Sequence, residues 1–437
     1  MPQVELQNQA RARLIAEQRE YLFPSVGTYY REPLVLEAGH GSWVRDADGR
    51  EYLDFYGGVL TTSLGHCQPD VVRAVQEQVA TLGHTSTLYV TAPQVEAARR
   101  LATITPGHGR LKRTFFTNSG TEAVETAVML ARVYTGRTEI VTLRHGYAGR
   151  TALGTELTAQ SVWRPLPGLA TGVRFAASPY HYRSRCGLPF AESADAFAAE
   201  LEDVIATTTT GQPAAFLAEP IQGVGGIILP PPGYFEKAVE IIHRYGGVFI
   251  ADEVQSGMGR TGRWFAIEHW GVEPDIMTLG KGVAGGYPVG ATVATDEIAA
   301  SFKARQFSTF GGNPVCMAAM CATLDVMVRE DVPARAIVRG AQLRVGLDAL
   351  AREHAWIGEV RGLGLMQALE LVKDRESRTP DAARAQAVLE GARTEGLLLG
   401  AAGLWGNVVR LGPNLLVTEA EVSEALARLG RACARAA

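Results

Sequence analysis

The sequence predicts an α/β protein: a large domain on a mostly parallel central sheet, with a smaller α+β domain drawn from both chain ends. Three observations carry this. Between residues 114 and 294, short apolar, β-branched runs alternate with stretches of helical spacing, the order that builds a parallel sheet with helices on both faces. Several of these runs end in polar or glycine-rich turns, where open α/β sheets place their ligands. After Pro314 the pattern changes to a long helical stretch followed by mixed strands and helices. The expected division is 1–65 as the N-terminal part of the small domain, 66–313 as the large domain and 314–437 as the rest of the small one.

Taken in order, residues 1–20 are polar with scattered apolar positions and read as a surface helix or arm. Alternating runs at 34–36, 42–44 and 52–55 surround the turn Asp46-Ala-Asp-Gly49 and predict a small meander. Val71, Val72, Val75, Val79 and Leu82 keep helical spacing, and a second helix spans roughly 92–104. A strand at 114–116 hands over to a helix from Gly120, and a strand at 139–143 ends in a glycine-rich turn. Strands follow at 215–218, 246–251, 276–279 and 290–294, with a helix at 235–243. The segment 155–195, rich in Pro, Gly, aromatics and Arg, is too long for a plain connection and reads as an insertion or site loop. Beyond Pro314, a helical stretch (315–353) precedes a strand at 365–370, a helix at 381–396 and strands at 397–400 and 408–411.

Composition narrows the function. The chain has 437 residues, 46% apolar and 20% charged, enough for a large core. A net charge of −4 carries no basic footprint for nucleic acid. Cys67, Cys186, Cys316, Cys321 and Cys433 are odd in number and lack a C-x-x-C pair. This argues against a disulfide framework or a zinc site and fits a reducing cytoplasm. The start has neither a basic n-region nor an apolar h-region, so no signal peptide is expected. No apolar run approaches the ~18 residues of a membrane span.

The chemistry centres on Asp252 and Lys281. Gly246-Gly-Val-Phe-Ile-Ala251 reads as a buried strand and delivers Asp252-Glu253 at its carboxyl end. Lys281 follows in Thr278-Leu-Gly-Lys-Gly282. A strand-end acid and a lysine in a glycine-bounded turn suit pyridoxal phosphate, whose aldehyde needs an amine and whose pyridinium needs an anion. Four further turns support this. Thr117-Asn-Ser-Gly-Thr-Glu122 combines a helix N-terminus with hydroxyls, an anion site, though taken alone an ordinary N-cap with a capping-box Glu is the stronger reading. In His145-Gly-Tyr-Ala-Gly-Arg150, Tyr147 can stack on a flat ring and Arg150 can hold a carboxylate. Glu219, in Ala218-Glu-Pro-Ile-Gln-Gly-Val224, is too costly to bury unpaired and should face a polar site. In Ser308-Thr-Phe-Gly-Gly-Asn-Pro314, glycines permit close approach and Thr309 can donate to phosphate. Gly257-Met-Gly-Arg-Thr-Gly262 matches a dinucleotide fingerprint. Asp252-Glu253 before it would repel a pyrophosphate, and no acid stands about 20 residues beyond it.

These motifs at these spacings resemble the class III aminotransferases, pyridoxal-phosphate enzymes of fold type I, from about Leu34 to about Glu419. The most specific stretch is Ile250-Ala-Asp-Glu-Val-Gln-Ser-Gly-Met-Gly-Arg260 followed by Leu279-Gly-Lys281. The resemblance implies that Lys281 is the Schiff-base and proton-shuttling lysine and that Asp252 pairs with the ring nitrogen. It places Val254 and Tyr147 on the two ring faces, Gln255 on the phenolic oxygen, and Ser119, Gly120 and Thr121 at the phosphate. Glu219 belongs to the same cofactor site. Thr309 would reach the neighbouring subunit's phosphate, which implies a homodimer with shared sites, or a tetramer of such dimers. Within the class, Glu-Pro-Ile-Gln-Gly-Val, Gly57-Gly58-Val59 and Gly65-His66-Cys67 look most like the alanine–glyoxylate aminotransferase 2 branch. Two departures stand out: Val224 replaces the glutamate that many relatives pair with the arginine at Arg410, and Ala148 replaces a common His. The expected substrates are a small α- or ω-amino acid and glyoxylate or pyruvate, held by Arg150 and Arg410. The alternatives are a 4-aminobutyrate-type enzyme using 2-oxoglutarate and a non-catalytic cofactor-binding protein.

Overall fold

In the computed structural model, which describes residues 2–107 and 109–436, the meander appears as β1 (Leu36–His40), β2 (Trp43–Asp46) and β3 (Glu51–Asp54). The turn between β2 and β3 is closed by Asp46, whose Oδ1 accepts the backbone N–H of Asp48 and Arg50. The central strands are β4 (Arg113–Thr117), β5 (Ile140–Leu143), β6 (Val173–Ala176), β7 (Ala215–Ala218), β8 (Val248–Asp252), β9 (Ile276–Leu279) and β10 (Gly290–Ala294). They form one sheet in the order β4-β10-β9-β8-β7-β5-β6. Every pair is parallel except those of β10, which runs antiparallel to both neighbours. The remaining strands are β11 (Ile357–Leu363), β12 (Met366–Leu371), β13 (Leu397–Leu398), β14 (Gly400–Ala402) and β15 (Val408–Leu411).

The sequence explains the sheet. β5, β7, β8, β9 and β10 are buried along their whole length, as continuous apolar runs covered on both faces must be. Helix Tyr234–Arg244 packs against it through Phe235, Ala238 and Ile242, all fully buried, each large side chain contributing roughly 1.5–3 kcal/mol. Register then aligns the carboxyl ends: Ala218 faces Ala251, and Asp252 faces Thr278.

Three expectations need correction. The stretch 315–353 is two helices, Pro314–Arg329 and Val332–Glu353. The break falls at Asp331, left-handed at φ 45°, with proline near the start of the second helix, where a missing N–H costs nothing. The segment 155–195, expected to be an insertion or site loop, carries regular structure of its own: β6, the edge strand paired with β5. Four residues with an arginine among them give too short a pattern to read. β11 and helix Ala194–Thr208 also went unforeseen. Finally, residues 397–402 serve two sheets: β13 runs parallel to β3, whereas β14 pairs with β15.

Candidate active site

The carboxyl ends of the central strands, with the turns that follow them, enclose a cavity of about 170 Å³. Its lining brings together Gly120, Thr121, Tyr147, Glu219, Asp252, Val254, Gln255 and Lys281, and adds Val124, Ala148 and Gly149. Asp252 ends β8 and is 4% exposed. Its Oδ1 accepts from Val254 N and Thr278 Oγ1, both at 3.1 Å, and Oδ2 has no hydrogen-bond partner among the described residues. Burial raises its pKa.

Lys281 follows β9 with a left-handed φ of 46°, the kind of backbone strain that persists where packing over-determines it. Gly280 before it lets this turn pass close to the helix at Gly120, because a Cβ there would sit 3.2 Å from Gly120 N. Desolvation lowers the lysine pKa to about 8, against the opposing pull of Asp252 and Glu219. At pH 7 roughly one-tenth of such an amine is neutral, several-hundredfold more than for an unperturbed lysine. Only the neutral amine can take up an aldehyde. Cofactor uptake by the cofactor-free protein should therefore rise with pH and level off above about 8, as stopped-flow absorbance will show; a rate still climbing at pH 10 would contradict this.

Glu219 is buried beside them. Its Oε1 accepts Tyr147 N at 3.0 Å and its Oε2 accepts Gly223 N at 2.8 Å, so one carboxyl fixes two cavity turns. Burial, then the nearby Asp252, pushes its pKa to about 8. Glu253, next in sequence to Asp252, turns away: it accepts from Ser256 Oγ at 2.6 Å and Ile267 N at 2.8 Å.

These residues fit pyridoxal phosphate. The N-terminus of helix Gly120–Thr135 supplies unpaired backbone N–H groups for an anion. Gly120 is obligatory, because a Cβ would come within 2.8 Å of Val254 Cγ1. Val254 and the Tyr147 ring offer flat apolar contact; the ring is braced edge-on by Trp163, 5.6 Å away, from the segment expected to be a site loop. Asp252 offers an anion and Lys281 an amine.

Four expected residues lie outside this lining. Ser119 caps the helix, its Oγ accepting Glu122 N at 3.2 Å, while Glu122 returns to Asn118 N at 2.5 Å, so the ordinary capping arrangement holds. Arg150 is exposed, close enough to Tyr147 for its charge to act on that phenol. Thr309 is exposed on its loop. Arg410 on β15 is 5% exposed. It donates to Gln255 Oε1 at 3.3 Å and to Tyr56 OH at 2.7 Å, and its buried Nε has no partner among the described residues. Gln255 thus spends its oxygen on Arg410 and keeps its amide nitrogen as a donor. Tyr56 escaped the sequence reading, its only signal being an aromatic immediately before Gly57-Gly58.

Comparison with known proteins agrees. The family model for Aminotransferase class-III matches residues 27–433. Alanine–glyoxylate aminotransferase 2 homolog 2, mitochondrial, of Arabidopsis thaliana is 41% identical over 407 residues, 93% of this chain and 84% of that protein. The acetylornithine aminotransferase of Mycobacterium leprae is 38% identical, covering 92% of each chain. An aminotransferase structure from Bacillus anthracis superposes with a TM-score of 0.92 at 28% identity, over 98% of this chain and 99% of that one. A PLP-bound amine transaminase from an uncultivated Pseudomonas species superposes with a TM-score of 0.89 at 34% identity, over 95% and 99%.

Proposed function

The chain belongs to the class III aminotransferases and uses pyridoxal 5′-phosphate, and on that premise we propose that it moves an amino group from a small α- or ω-amino acid to glyoxylate or pyruvate in two half-reactions. One observation carries the choice of acceptor. Position 224 is Val and carries no acid, and among the described residues Arg410 is buried with only the neutral hydrogen-bond partners Gln255 and Tyr56. A buried guanidinium without an anion is costly, and a substrate carboxylate relieves it. The Arabidopsis relative is named for alanine and glyoxylate.

Bound, the cofactor supplies an electron sink that lets a proton leave the substrate carbon bearing nitrogen. Gly120 and Thr121 would hold its phosphate through backbone N–H groups. Asp252, whose Oδ1 is already engaged, would use Oδ2 to hold a proton on its ring nitrogen. Val254 and Tyr147 would exclude water from the ring. Lys281 Nζ takes the proton from the substrate carbon and returns it. Arg410 orients the substrate carboxylate, and Arg150, exposed near Tyr147, is a second candidate clamp.

The test follows each half-reaction at the cofactor's absorbance. Pyruvate or glyoxylate should reload the amine form at least about tenfold faster than 2-oxoglutarate at equal concentration. The reverse order would favour the 4-aminobutyrate-type reading, in which exposed Arg150 serves the second carboxylate of a dicarboxylic acid.

A homodimer with shared sites has separate support. Thr309 lies beside Phe307 and Phe310, 63% and 61% exposed. Thr87 N donates to Ser308 O at 3.2 Å, which joins this loop to Leu88, Tyr89 and Val90, also exposed. Such a contiguous apolar surface marks an interface. Thr309→Ala should weaken cofactor affinity about tenfold, the worth of one hydrogen bond to a charged group, and sedimentation should give the mass of two chains. A monomer with full cofactor affinity would refute the shared site.

Among the described residues no helix is long and apolar enough to cross a membrane. All five cysteines are free, which supports a reducing compartment, the cytoplasm; recovery from another compartment on cell fractionation would count against it.

A further inference from the structure

We infer that Tyr56 is the positioning residue that makes Arg410 a standing carboxylate clamp, a neutral phenol taking the place of an anionic partner. The inference rests on Arg410 binding the substrate carboxylate and adds the device that holds it ready. Tyr56 OH receives Arg410 Nη2 at 2.7 Å, and the guanidinium carbon lies 5.0 Å from the centre of the same ring. Gln255 holds Nη1 from the cavity side. One side chain therefore engages Arg410 by its hydroxyl and its π face, and neither interaction cancels the charge. Arg410 stands behind the cavity wall, reached through Gln255, which lines it, and it is close enough for its charge to lower the pKa of Lys281.

The seat of Tyr56 is built for this. Gly400 pairs with Arg410 across β14 and β15, and any Cβ at Gly400 would collide with the Tyr56 ring. Asp54 Oδ1 accepts the N–H of both Tyr56 and Gly57 at 2.9 Å, while its Oδ2 meets His66 Nε2 at 2.8 Å. The chain then runs through four left-handed residues, Gly57, Gly58, Val59 and Leu60, at φ 58°, 57°, 68° and 60°. Glycine accepts this freely, but for β-branched Val59 it is a marked outlier. Strain of this kind survives only where the surroundings enforce it. On the far side Tyr29 OH bonds Tyr56 OH, so the phenol is held from both flanks. Burial raises the Tyr56 pKa, which keeps the hydroxyl neutral.

The physical consequence concerns specificity. A glutamate partner would have to be displaced and left unpaired each time a substrate carboxylate bound. A phenol has no charge to strand, so Arg410 stays available throughout turnover. The site then discriminates for carboxylate-bearing substrates through a difference in affinity.

The experiment compares pyruvate with acetaldehyde, which is pyruvate without its carboxylate, as amino acceptors for the holoenzyme. Wild type, Tyr56→Phe, Tyr56→Leu and Arg410→Ala are measured. The pyruvate-to-acetaldehyde ratio of kcat/KM should fall about tenfold in Tyr56→Phe, the loss of one charge-assisted hydrogen bond. The change should lie in KM for pyruvate. Tyr56→Leu, which also removes the ring, should lower the ratio further. A mere packing defect would depress both acceptors alike and leave the ratio where it was. If Arg410→Ala collapses the ratio while both Tyr56 variants keep it, the role of Tyr56 is overturned and that of Arg410 stands. If Arg410→Ala itself leaves the ratio unchanged, the clamp and the inference built on it both fall.

Discussion

Lys281→Ala is expected to lower turnover by about 10⁴-fold or more. In the proposed roles, the substitution removes both the covalent anchor of the cofactor and the base that moves the substrate proton, each a large term by itself. No neighbour can substitute. Glu219 is committed to Tyr147 N and Gly223 N, and Asp252 is held by Val254 N and Thr278 Oγ1. The absorbance of cofactor joined to lysine should vanish, and single-turnover mixing with an amino acid should show no conversion on the wild-type timescale. Lys281→Arg should fail equally, because a guanidinium stays protonated. Retention of a tenth of wild-type turnover would refute the role. The variant should meanwhile melt higher than wild type without cofactor. The folded pKa of the lysine is depressed to about 8, so between that pH and lower values the fold carries a charge it disfavours, and alanine removes the penalty.

Asp252→Asn should reduce kcat roughly 10²–10³-fold, the usual range for removing one preorganised charge partner, with substrate KM little altered. The amide preserves shape and can still accept from Val254 N and Thr278 Oγ1. It cannot hold a proton on the ring nitrogen, so loss of the substrate proton is left unsupported. The structural sign is again opposite. Burial raises the Asp252 pKa, so the ionised carboxylate costs stability at pH values above its ordinary range, and the neutral amide should raise the melting temperature of the cofactor-free protein. Lower activity with higher stability identifies a group kept for chemistry. A variant that is both active and less stable would mark Asp252 as structural.

Much of this site was legible because strand-end chemistry is local. An apolar run ending in Asp252, and a lysine between glycines at Lys281, reveal their places through neighbours a few residues away. The same holds for Gly120 at a helix start. Other features depend on partners remote in sequence. Tyr56 acquires meaning only beside Arg410, 354 positions later. β6 is a strand only because β5 offers it an edge. Glu253 and Asp252 are adjacent acids, and only the fold, in which the strand ends at Asp252, sends one to the cavity and the other toward Ile267 N. Ser119 shows the converse case: the cap that competed with the phosphate reading is the interaction its hydroxyl makes here.

By itself, the order of apolar runs and polar turns determined a parallel α/β sheet with its reactive groups at one edge, because side-chain periodicity and turn propensity act over a few residues. Whether a charged side chain meets an anion, a phenol or solvent was decided only in three dimensions. Pairing energies between residues hundreds of positions apart depend on distances that the fold alone creates. Arg410 therefore reads as an arginine in the sequence, and its proposed role as a clamp emerges only where Tyr56, Gln255 and Gly400 surround it.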